Sequence, residues 1–589
     1  MRVFVLAVLL ALAAVTPAAA ALPPLTVERG EDAAIVDDAG REVLLRGLNV
    51  NQLGDYYQAD PALATTMPLS ERDFEQIAAL GFDVVRLTMS WSSFQPERGK
   101  FDQAYVARVR EAVRWAARHD LYVVLDMHQD AWGKFIATPP GYTCEPGLGR
   151  AVGWDGAPQW ATLTDGMTTC RAGETRELSP AVAQAFESFY ADREQIQTEL
   201  VTTWGRIAAA FADEPNVVGY DLLNEPHPGF AAGVNEAAPL GQFYARAIAE
   251  IRSREKEAQP SRPPRIVFFE PSVLWSGFGN DTIPPPGFTG DERIVFAPHL
   301  YSESISVDQG ATSIEQGFDN AERAAATYGA PLWSGEWGWF GDPVEQRPKL
   351  ERYLAQEDGR GLGGAWWVWK QACGDPHVVG YPGASGSLNP NECPSGKPQG
   401  LVTGFTDLLR RAYPRYTPGR LTGLQSDWKS GRFTVRGTHA DAGGSCRLEV
   451  WIPGDAEPDL VADGLTDLKT ERRDGGWIAS GCARPGAYTL GGAPATSEPP
   501  GSSTPAGPCR SRRRIVIHAR GRVKSVRTRG VKPTRVRRRG RRVVLDLRGS
   551  AKGRIVVLLR LRGGRTERRV YRTCTTGTSR RPSARPGTR

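Results

Sequence analysis

Short apolar runs alternate with longer segments of helical periodicity from about Leu45 to Gln371, and eight such runs occur. Nearly continuous apolar runs, without strict alternation, are typical of parallel strands that are buried on both faces. The pattern therefore predicts an α/β fold, an enlarged (β/α)8 barrel of the TIM type, within residues 22–417. The runs are VLLRGLNV, DVVRLTMSW, LYVVLDMH, VVGYDLLNEP, RIVFFEP, RIVFAPHLY, PLWSGEWG and GGAWWVWKQ.

Helical patterns lie between most of the runs, and one connection is much longer than the others. This insertion, from Gln129 to about Pro180, follows the third run and is rich in Gly, Pro and Trp. A loop of this length more often carries a function than merely connects two elements. Its apolar side chains either line a lipid-accepting groove or form a small core under the loop: Trp132, Phe135, Ile136, Trp154 and Trp160. The predicted helices are Ser70–Leu80, Tyr105–His119, Gln184–Phe211 and Leu240–Ile251.

The pattern changes after residue 417. Short alternating strands with Gly and Asp turns predict a small antiparallel β-sandwich over residues 418–492. Residues 493–508 have the composition of a linker. Arg-edged apolar strands predict a further β-rich module over residues 509–575, followed by a disordered tail over residues 576–589.

The two ends of the chain predict export and an unusual charge distribution. Residues 1–21 combine a charged start, an apolar stretch and small residues before a cleavage site, which indicates a secretory signal peptide and a secreted protein; an uncleaved anchor is the alternative. Residues 509–589 hold 29 Lys and Arg residues against two acidic residues, whereas residues 1–508 hold 44 basic and 64 acidic residues. A basic module is therefore joined to an acidic body.

Eight cysteines fall into four local pairs. An even number in an exported chain indicates disulfides, and eight cysteines allow 105 connectivities. Locality favours sequential pairing, and no C-x-x-C spacing indicates a thiol redox or zinc motif. The pairs are Cys144/Cys170, Cys373/Cys393, Cys446/Cys482 and Cys509/Cys574.

Polar residues stand at the carboxyl ends of the predicted strands, where active sites of such barrels lie. Buried polar groups need partners, so these residues predict a pocket with two carboxylates, an arginine, two imidazoles and aromatic walls. Two carboxylates, one after the fourth strand and one at the seventh, suit glycoside hydrolysis. The candidates are Arg86, Asp126, His128, Asp130, Asn224, Glu225, His299, Tyr301, Glu336 and Trp369.

The motifs LLNEP and SGEWG resemble those of the retaining glycoside hydrolases of family 5. Together with DMHQDAW, GAPQWATLTDG, YDLLNEPHPG and SGEWGWFGD, they are similar to the endoglycoceramidases, which release intact oligosaccharide from ceramide. The resemblance covers roughly residues 30–490 and not the basic module. It implies a glycolipid or oligosaccharide substrate and no metal or cofactor.

The resemblance also implies a role for each candidate. Glu225 is the expected general acid/base, with a raised pKa, and Glu336 the expected nucleophile. Arg86 and Tyr301 would keep Glu336 ionised, Asn224 would bind the sugar 2-hydroxyl, and Trp369 would stack on the sugar. His128 and His299 would fix sugar hydroxyls and the acid/base, while Asp126 and Asp130 would bind the glycan unless Asp126 only supports the barrel. Some relatives have a glycan-binding Lys after the first strand, where this chain has Asn49, Asn51 and Gln52.

Several alternatives remain at this stage. A β-1,4-glucanase or mannanase, or a β-glucosidase of another lipid such as a sterol glucoside, would use the same two glutamates. A protein that binds carbohydrate or cell wall without activity is an alternative from another class. The basic module would either aid solubility or make peripheral contact with an anionic membrane or cell wall. No nucleic-acid motif accompanies its charge, so no nucleic acid is expected as a partner.

Overall fold

The computed structural model describes residues 22–173, 175–230, 237–273, 275, 283–305, 312–379, 386–440, 444–494, 514–519, 521–530, 532–547, 553–562 and 566–573. They form two compact units that divide after Thr496. The predicted signal peptide, most of the linker, the tail and the Cys509/Cys574 pair lie outside these residues. Among the residues that are described, no helix has the length and apolar character needed to cross a membrane.

The eight apolar runs form eight parallel strands, as predicted, and we number them β1 to β8 in chain order. Their order in the sheet is β6-β5-β4-β3-β2-β1-β8-β7, and a parallel bridge between Phe296 and Leu332 brings β6 beside β7. The sheet is thus nearly closed into a barrel. The strands are Arg46–Val50, Val84–Ser90, Tyr122–His128, Val217–Asp221, Ile266–Phe269, Ile294–Phe296, Trp333–Trp337 and Gly363–Trp366.

Helices surround the barrel, and those predicted over 70–80 and 105–119 begin and end within two residues of the prediction, whereas the helix predicted over 240–251 extends over Ala237–Ala258. The predicted helix 184–211 is two helices, because Asp192, Glu194 and Gln195 have positive φ angles and interrupt it. The side chain of Asp102 accepts hydrogen bonds from the amides of Ala104 and Tyr105 and so fixes the start of one helix. The helices are Glu71–Ala79, Trp91–Phe94, Gln103–Arg118, Pro180–Tyr190, Ile196–Ala210, Ala237–Ala258, Ile314–Tyr328, Pro343–Arg360, Pro376–Val379 and Thr403–Leu409.

The β-sandwich is larger than the predicted domain 418–492. Its seven-stranded sheet begins with three strands near the N-terminus, and Val43 pairs with Tyr416 across the junction. The sandwich therefore does not begin at the predicted boundary, residue 417. Its first strands could not be predicted, because a pairing between segments some 370 residues apart leaves no local pattern in the sequence. The strands are Leu25–Glu28, Ala34–Asp37, Arg41–Val43, Tyr413–Pro418, Arg420–Ser426, Phe433–His439, Arg447–Pro453, Pro458–Asp463, Leu465–Arg473, Gly476–Ala483 and Gly486–Pro494.

The basic module is a small β structure of its own. Two three-stranded antiparallel sheets enclose an apolar core that includes Ile515, Leu545 and Leu559. Its strands are Arg514–His518, Val523–Gly530, Arg535–Arg539, Arg542–Asp546, Gly553–Leu561 and Thr566–Thr573.

Disulfides link neighbouring cysteines in sequence, which confirms three of the four predicted pairs. Cys144 is bonded to Cys170, Cys373 to Cys393 and Cys446 to Cys482. The first bond lies in the long insertion, next to the short antiparallel pair Leu148–Gly149 and Arg171–Ala172. It ties this insertion to itself above the barrel.

A buried ion network fixes the base of the barrel to the chain that enters the sandwich. Arg411 donates to Glu357 and to Asp358, the latter at 3.1 Å, and Arg46 lies 2.9 Å from Asp358. All four side chains are buried. Each carboxylate is therefore compensated by a cation without access to solvent.

We expect Arg411→Met to lower the free energy of unfolding by about 3–5 kcal/mol, because it leaves two buried carboxylates, Glu357 and Asp358, to share the charge of Arg46. Urea unfolding followed by tryptophan fluorescence measures the change. The control is Arg432→Met, which removes an exposed arginine of the sandwich and should stay within about 0.5 kcal/mol of the parent. Equal stability of the two variants would contradict a role for the network.

Candidate active site

The carboxyl ends of the barrel strands bring most of the predicted residues into one buried cluster. Arg86 comes from β2, His128 from the end of β3 and Glu336 from β7. Asn224 and Glu225 follow β4 directly, and His299 and Tyr301 follow β6. Parallel strands end at the same rim, which explains why residues so distant in sequence meet.

Arg86 is the centre of the cluster and is completely buried. Its guanidinium lies between 2.7 and 2.9 Å from four carboxylates, and it also donates to the side-chain oxygens of Asn49 and Asn224. The charges of these carboxylates outweigh the effect of burial and hold the pKa of Arg86 well above its ordinary value. Arg86 is thus a permanent cation. The carboxylates belong to Asp126, Asp221, Glu270 and Glu336.

Glu336 is held from both of its carboxylate oxygens. Arg86 Nη1 donates to Oε1 at 2.7 Å, and the Tyr301 hydroxyl donates to Oε2 at 3.0 Å. Burial and the adjacent Glu336 raise the pKa of Tyr301 well above its ordinary value, so the phenol stays a donor. Both predicted partners of Glu336 therefore occupy the expected positions.

Glu225 is fixed through its backbone as well as its side chain. Its φ angle of +39° lies in the left-handed region, which is uncommon for a non-glycine residue and costly to hold. Its amide donates to Glu270 Oε2 at 2.9 Å, and its carbonyl accepts from Gln129 Nε2 at 2.9 Å. These bonds aim the side chain into the cluster.

Two cations contact the carboxylate of Glu225. His299 Nδ1 lies 2.8 Å from Oε1, and Arg176 Nη2 donates to Oε2 at 2.8 Å. Burial raises the pKa of Glu225, but the hydrogen bond and charge of His299 and the charge of Arg176 outweigh it and hold the pKa below its ordinary value. The expectation that the pKa of Glu225 is raised is therefore wrong for the protein without substrate.

The proton of the His299–Glu225 pair therefore resides on the imidazole. Burial lowers the pKa of His299, but Glu270 at 3.2 Å, Glu336 at 3.5 Å and the bond to Glu225 raise it well above its ordinary value. Burial also raises the pKa of Glu270, to about 8. One proton is thus held within reach of both predicted catalytic glutamates.

The two glutamates have the spacing of a nucleophile and an acid/base. One carboxylate oxygen of Glu225, one of Glu336 and a ring nitrogen of His299 all lie within 4.8 Å of one another. Carboxyl groups about 5–5.5 Å apart are typical of retaining glycosidases, whereas inverting enzymes need about 6.5–9.5 Å to admit a water. The geometry favours retention.

A second group of charged residues adjoins the pair. His128 Nδ1 lies 2.7 Å from Asp126 Oδ2, and His377 bridges Asp375 at 2.7 Å and Asp130 at 2.9 Å. Burial lowers the pKa of both histidines, but these carboxylates raise it, to about 9 for His128 and about 10 for His377. Asp126 is fully buried and bound to Arg86, so it supports the barrel and is not placed to bind glycan.

Trp369 does not occupy the predicted position, and this prediction is wrong. It is fully buried, and its indole nitrogen donates to Asp73 Oδ1 at 2.9 Å on the helix side of the barrel. Trp367 lies at the site instead. Its ring stacks on His128 with centroids 5.3 Å apart and packs against His377 at 5.0 Å. Both tryptophans lie beyond Trp366, the last residue of β8, where the alternation of faces along a strand no longer decides the side of a residue.

We expect Trp367→Ala to lower kcat/KM by about fivefold or more, because the sugar loses an aromatic face worth roughly 1 kcal/mol or more. Steady-state kinetics on a glycolipid measure this. Trp369→Phe is the matched control. It should lower the Tm, because the hydrogen bond to Asp73 is lost, and keep kcat/KM within about twofold of the parent value. A larger loss of kcat/KM in Trp369→Phe than in Trp367→Ala would show that Trp369 is the residue that stacks on the sugar.

Four site residues had not been identified from the sequence. Glu270 directly follows β5, so the rule that found the other candidates also applied to it, and Asp221 ends β4 in VVGYD. His377 and Arg176 lie in connections without periodicity and left no such signal. Asn49, in the place of a glycan-binding Lys of some relatives, donates to backbone carbonyls of β7 and β8 and accepts from Arg86.

The apolar side chains of the insertion divide between core and surface. Trp132, Ile136 and Trp154 are buried in the main core, so the idea that they line an open groove is wrong. Other large apolar side chains remain exposed on this insertion and on the loops after β4 and β6: Phe135, Tyr142, Leu148, Met167, Leu178, Phe230 and Ile305.

Two side-chain clusters among the described residues have the spacing of metal ligands. One is Glu225, His299 and Glu336, and the other is His128, Asp130 and His377. In both, arginines already compensate the carboxylates, with Arg86 on Glu336 and Arg176 on Glu225 and Asp130. The carboxylates of both clusters are thus already engaged in ion pairs with arginines.

Known proteins share both the sequence pattern and the fold. The family model for cellulase, glycosyl hydrolase family 5, matches residues 36–372. Endoglycoceramidase I of Rhodococcus hoagii (strain 103S) is 26% identical over 439 residues, which cover 70% of this chain and 78% of that protein.

Two solved structures extend the comparison to most of the first compact unit. An endogalactoceramidase crystal structure has a TM-score of 0.74 and 52% identity, covering 80% of this chain and 99% of the other. Endo-glycoceramidase II from Rhodococcus sp., solved as a lactosyl-enzyme intermediate, has a TM-score of 0.62 and 26% identity, covering 78% of this chain and 99% of that chain. With this barrel and its paired glutamates, the chain is a glycoside hydrolase and belongs to glycosyl hydrolase family 5.

Proposed function

We propose that this enzyme is a retaining endoglycoceramidase, which hydrolyses the β-glycosidic bond between the oligosaccharide and the ceramide of a glycosphingolipid. The observation that carries the proposal is the pair Glu225 and Glu336, whose carboxylate oxygens approach within 4.8 Å beside Arg86 and His299. The two ceramide-cleaving relatives that the chain covers almost completely supply the substrate class.

In the first step Glu336, held by Arg86 Nη1 at 2.7 Å, attacks the anomeric carbon of the sugar that is linked to ceramide. The bond from that carbon to the glycosidic oxygen breaks, and Glu225 delivers a proton to this oxygen as ceramide leaves. The Asn224 amide, held by Arg86 and by the Gln129 carbonyl at 3.0 Å each, has a second Nδ2 hydrogen for the sugar 2-hydroxyl.

In the second step Glu225 acts as a base. It removes a proton from water, the water oxygen attacks the anomeric carbon, and the bond to Glu336 breaks. The oligosaccharide leaves with its β configuration, and Glu225 has recovered its proton. Because Tyr301 and Arg86 stay at Glu336 throughout, the carboxylate is stabilised as it departs.

A lipid as the leaving group agrees with the exposed apolar side chains near the site. Phe135, Leu178 and Phe230 are 40%, 50% and 51% exposed, on the insertion and on the loop after β4. Contiguous exposed apolar surface marks ligand or membrane contact sites, and we propose these three side chains as parts of such a surface. A polysaccharide would instead need additional sugar-binding platforms.

The test is mass spectrometry of the products from purified protein and a substrate panel. The panel holds lactosylceramide, a ganglioside, glucosylceramide, a sterol glucoside and β-glucan. Intact oligosaccharide with free ceramide is expected. Shortened glucan or free sterol, with the ceramides untouched, would move the substrate to one of the alternative glycosidases.

The identity of 52% to an endogalactoceramidase favours galactose as the sugar joined to ceramide. Digalactosylceramide and lactosylceramide, whose first sugars are galactose and glucose, test this as competitors in one reaction. A higher kcat/KM for digalactosylceramide is expected. A preference for lactosylceramide would place this enzyme with glucose-linked substrates.

We also propose that the protein is exported and that its basic module contacts an anionic surface. The edge strand Arg535–Arg539 is exposed along its whole length, and each Lys or Arg near an anionic membrane contributes on the order of 1 kcal/mol. The test is binding to phosphatidylserine vesicles at rising salt, with Arg535, Arg537, Arg538 and Arg539 changed to Gln. Binding equal to that of the parent, and insensitive to salt, would overturn this proposal.

A further inference from the structure

Arg176 belongs to the long insertion and reaches back to Glu225. It lies in a short 3-10 turn, Arg176–Leu178, and its Nη2 donates to Glu225 Oε2 at 2.8 Å. His299 occupies the other oxygen, Oε1, at 2.8 Å. Both oxygens of the proposed acid/base are therefore bound to cations of the protein itself.

A general acid must bring a carboxyl oxygen within hydrogen-bond distance of the atom that it protonates. A cation that stays on one of these oxygens favours the ionised form of the carboxyl and competes with the glycosidic oxygen for the same position. His299 is completely buried and is also held near Glu270 and Glu336. The side chain of Arg176 is 20% exposed and comes from a loop. Arg176 is therefore the partner that can leave.

Arg176 has other contacts that would hold it after it leaves Glu225. Its Nη2 lies 2.5 Å from Asp130 Oδ1, its Nε donates to Glu177, and its guanidinium lies 4.5 Å above the centroid of a Trp154 ring. A small rotation could break the bond to Glu225 while these contacts persist. The charge then remains compensated by Asp130.

We propose that Arg176 is a positioning residue that caps Glu225 Oε2 in the free enzyme and is displaced when the glycosidic oxygen of the substrate binds there. This inference rests on the proposed role of Glu225 as acid/base. Loss of the neighbouring cation raises the pKa of Glu225. The proton that it shares with His299 Nδ1 then moves to the carboxyl at the moment when the leaving oxygen needs it.

The other charged groups around Glu225 do not change in this step. His299 and Glu270 stay bonded to its side chain and its amide, and Glu336 remains on Arg86. Asp130 raises the pKa of Glu225, and Glu177 interacts with it as well. Arg176 alone combines direct contact with partial exposure among the groups named.

The test compares pH profiles of the free and bound enzyme on lactosylceramide micelles. The profile of kcat/KM reports the free enzyme, and single-turnover rates at saturating substrate report the complex. In the parent, the alkaline limb, where activity falls as the pH rises, is expected at lower pH in the kcat/KM profile than in the single-turnover profile of the complex. Arg176→Met should shift the alkaline limb of the kcat/KM profile to higher pH by about one unit. The alkaline limb of the single-turnover profile should not shift.

The controls separate this inference from simpler roles. Arg176→Lys should keep the parent profile, and Arg150→Met, which alters the same loop through its bonds to the Thr138 and Tyr142 carbonyls, should not move either limb. Equal shifts of both limbs, or parent limbs that coincide, would overturn displacement. The parent comparison remains decisive if Arg176→Met does not fold.

The same profiles are recorded for Glu225→Ala. Survival of the alkaline limb in that variant would refute Glu225 as the acid and with it the proposed function. Loss of the limb in Glu225→Ala, with no separate movement in Arg176→Met, would refute only the displacement of Arg176.

Discussion

Glu336→Gln is expected to lower kcat on lactosylceramide by at least about 10⁴-fold, roughly 5 kcal/mol of transition-state stabilisation. The amide is almost isosteric, so its oxygen can still accept from Arg86 Nη1 and its nitrogen can donate to the Tyr301 hydroxyl. Packing is preserved while the nucleophile is lost. Product release measured by mass spectrometry gives the rate.

The loss should be equally large with an activated substrate such as dinitrophenyl lactoside, because no leaving group compensates for a missing nucleophile. Glu250→Gln is the matched control, since Glu250 pairs with Arg254 on the surface of a helix and should leave kcat unchanged. A Glu336→Gln variant with more than about a tenth of the parent rate would exclude Glu336 as nucleophile.

Glu225→Ala is expected to reduce kcat/KM on lactosylceramide by about 10²–10⁴-fold, the usual contribution of a general acid. Ceramide is a poor leaving group and depends on protonation. Dinitrophenolate is a good leaving group that needs no protonation. The first step with dinitrophenyl lactoside should therefore be slowed much less by this substitution. The comparison of the two substrates measures the acid function directly.

Azide provides the control for the second step. It fits the space left by Glu225, needs no base, and should accelerate turnover of dinitrophenyl lactoside by this variant while forming β-lactosyl azide. Azide should have no such effect on Glu336→Gln. Equal losses on both substrates, without azide rescue, would show that Glu225 supports the fold and not proton transfer.

The barrel and its two glutamates could be predicted because both depend on local patterns. Continuous apolar runs identify buried parallel strands, and the carboxyl ends of such strands meet at one rim. Arg86, Asn224, Tyr301 and Glu336 therefore followed from their places at strand ends. Glu270 satisfied the same rule and was overlooked within RIVFFEP.

The remaining features depend on contacts that no local pattern encodes. Arg176 reaches the site from an irregular loop. The strand Arg41–Val43 pairs with Tyr413–Pro418, although the whole barrel lies between them in the sequence. Trp367 and Trp369 sit two residues apart at the irregular end of β8, so periodicity could not tell which of them faces the sugar. Burial raises the pKa of Glu225, but the hydrogen bond and charge of His299 and the charge of Arg176 lower it, and the contribution of Arg176 left no signal in the sequence.

The most direct test of the account is proton NMR of the first product formed from lactosylceramide. The spacing of Glu225 and Glu336 predicts intact lactose that appears first as the β anomer and mutarotates later. Initial release of α-lactose would contradict the retaining pair. Release of single sugars, with ceramide still glycosylated, would contradict cleavage at the bond between oligosaccharide and ceramide.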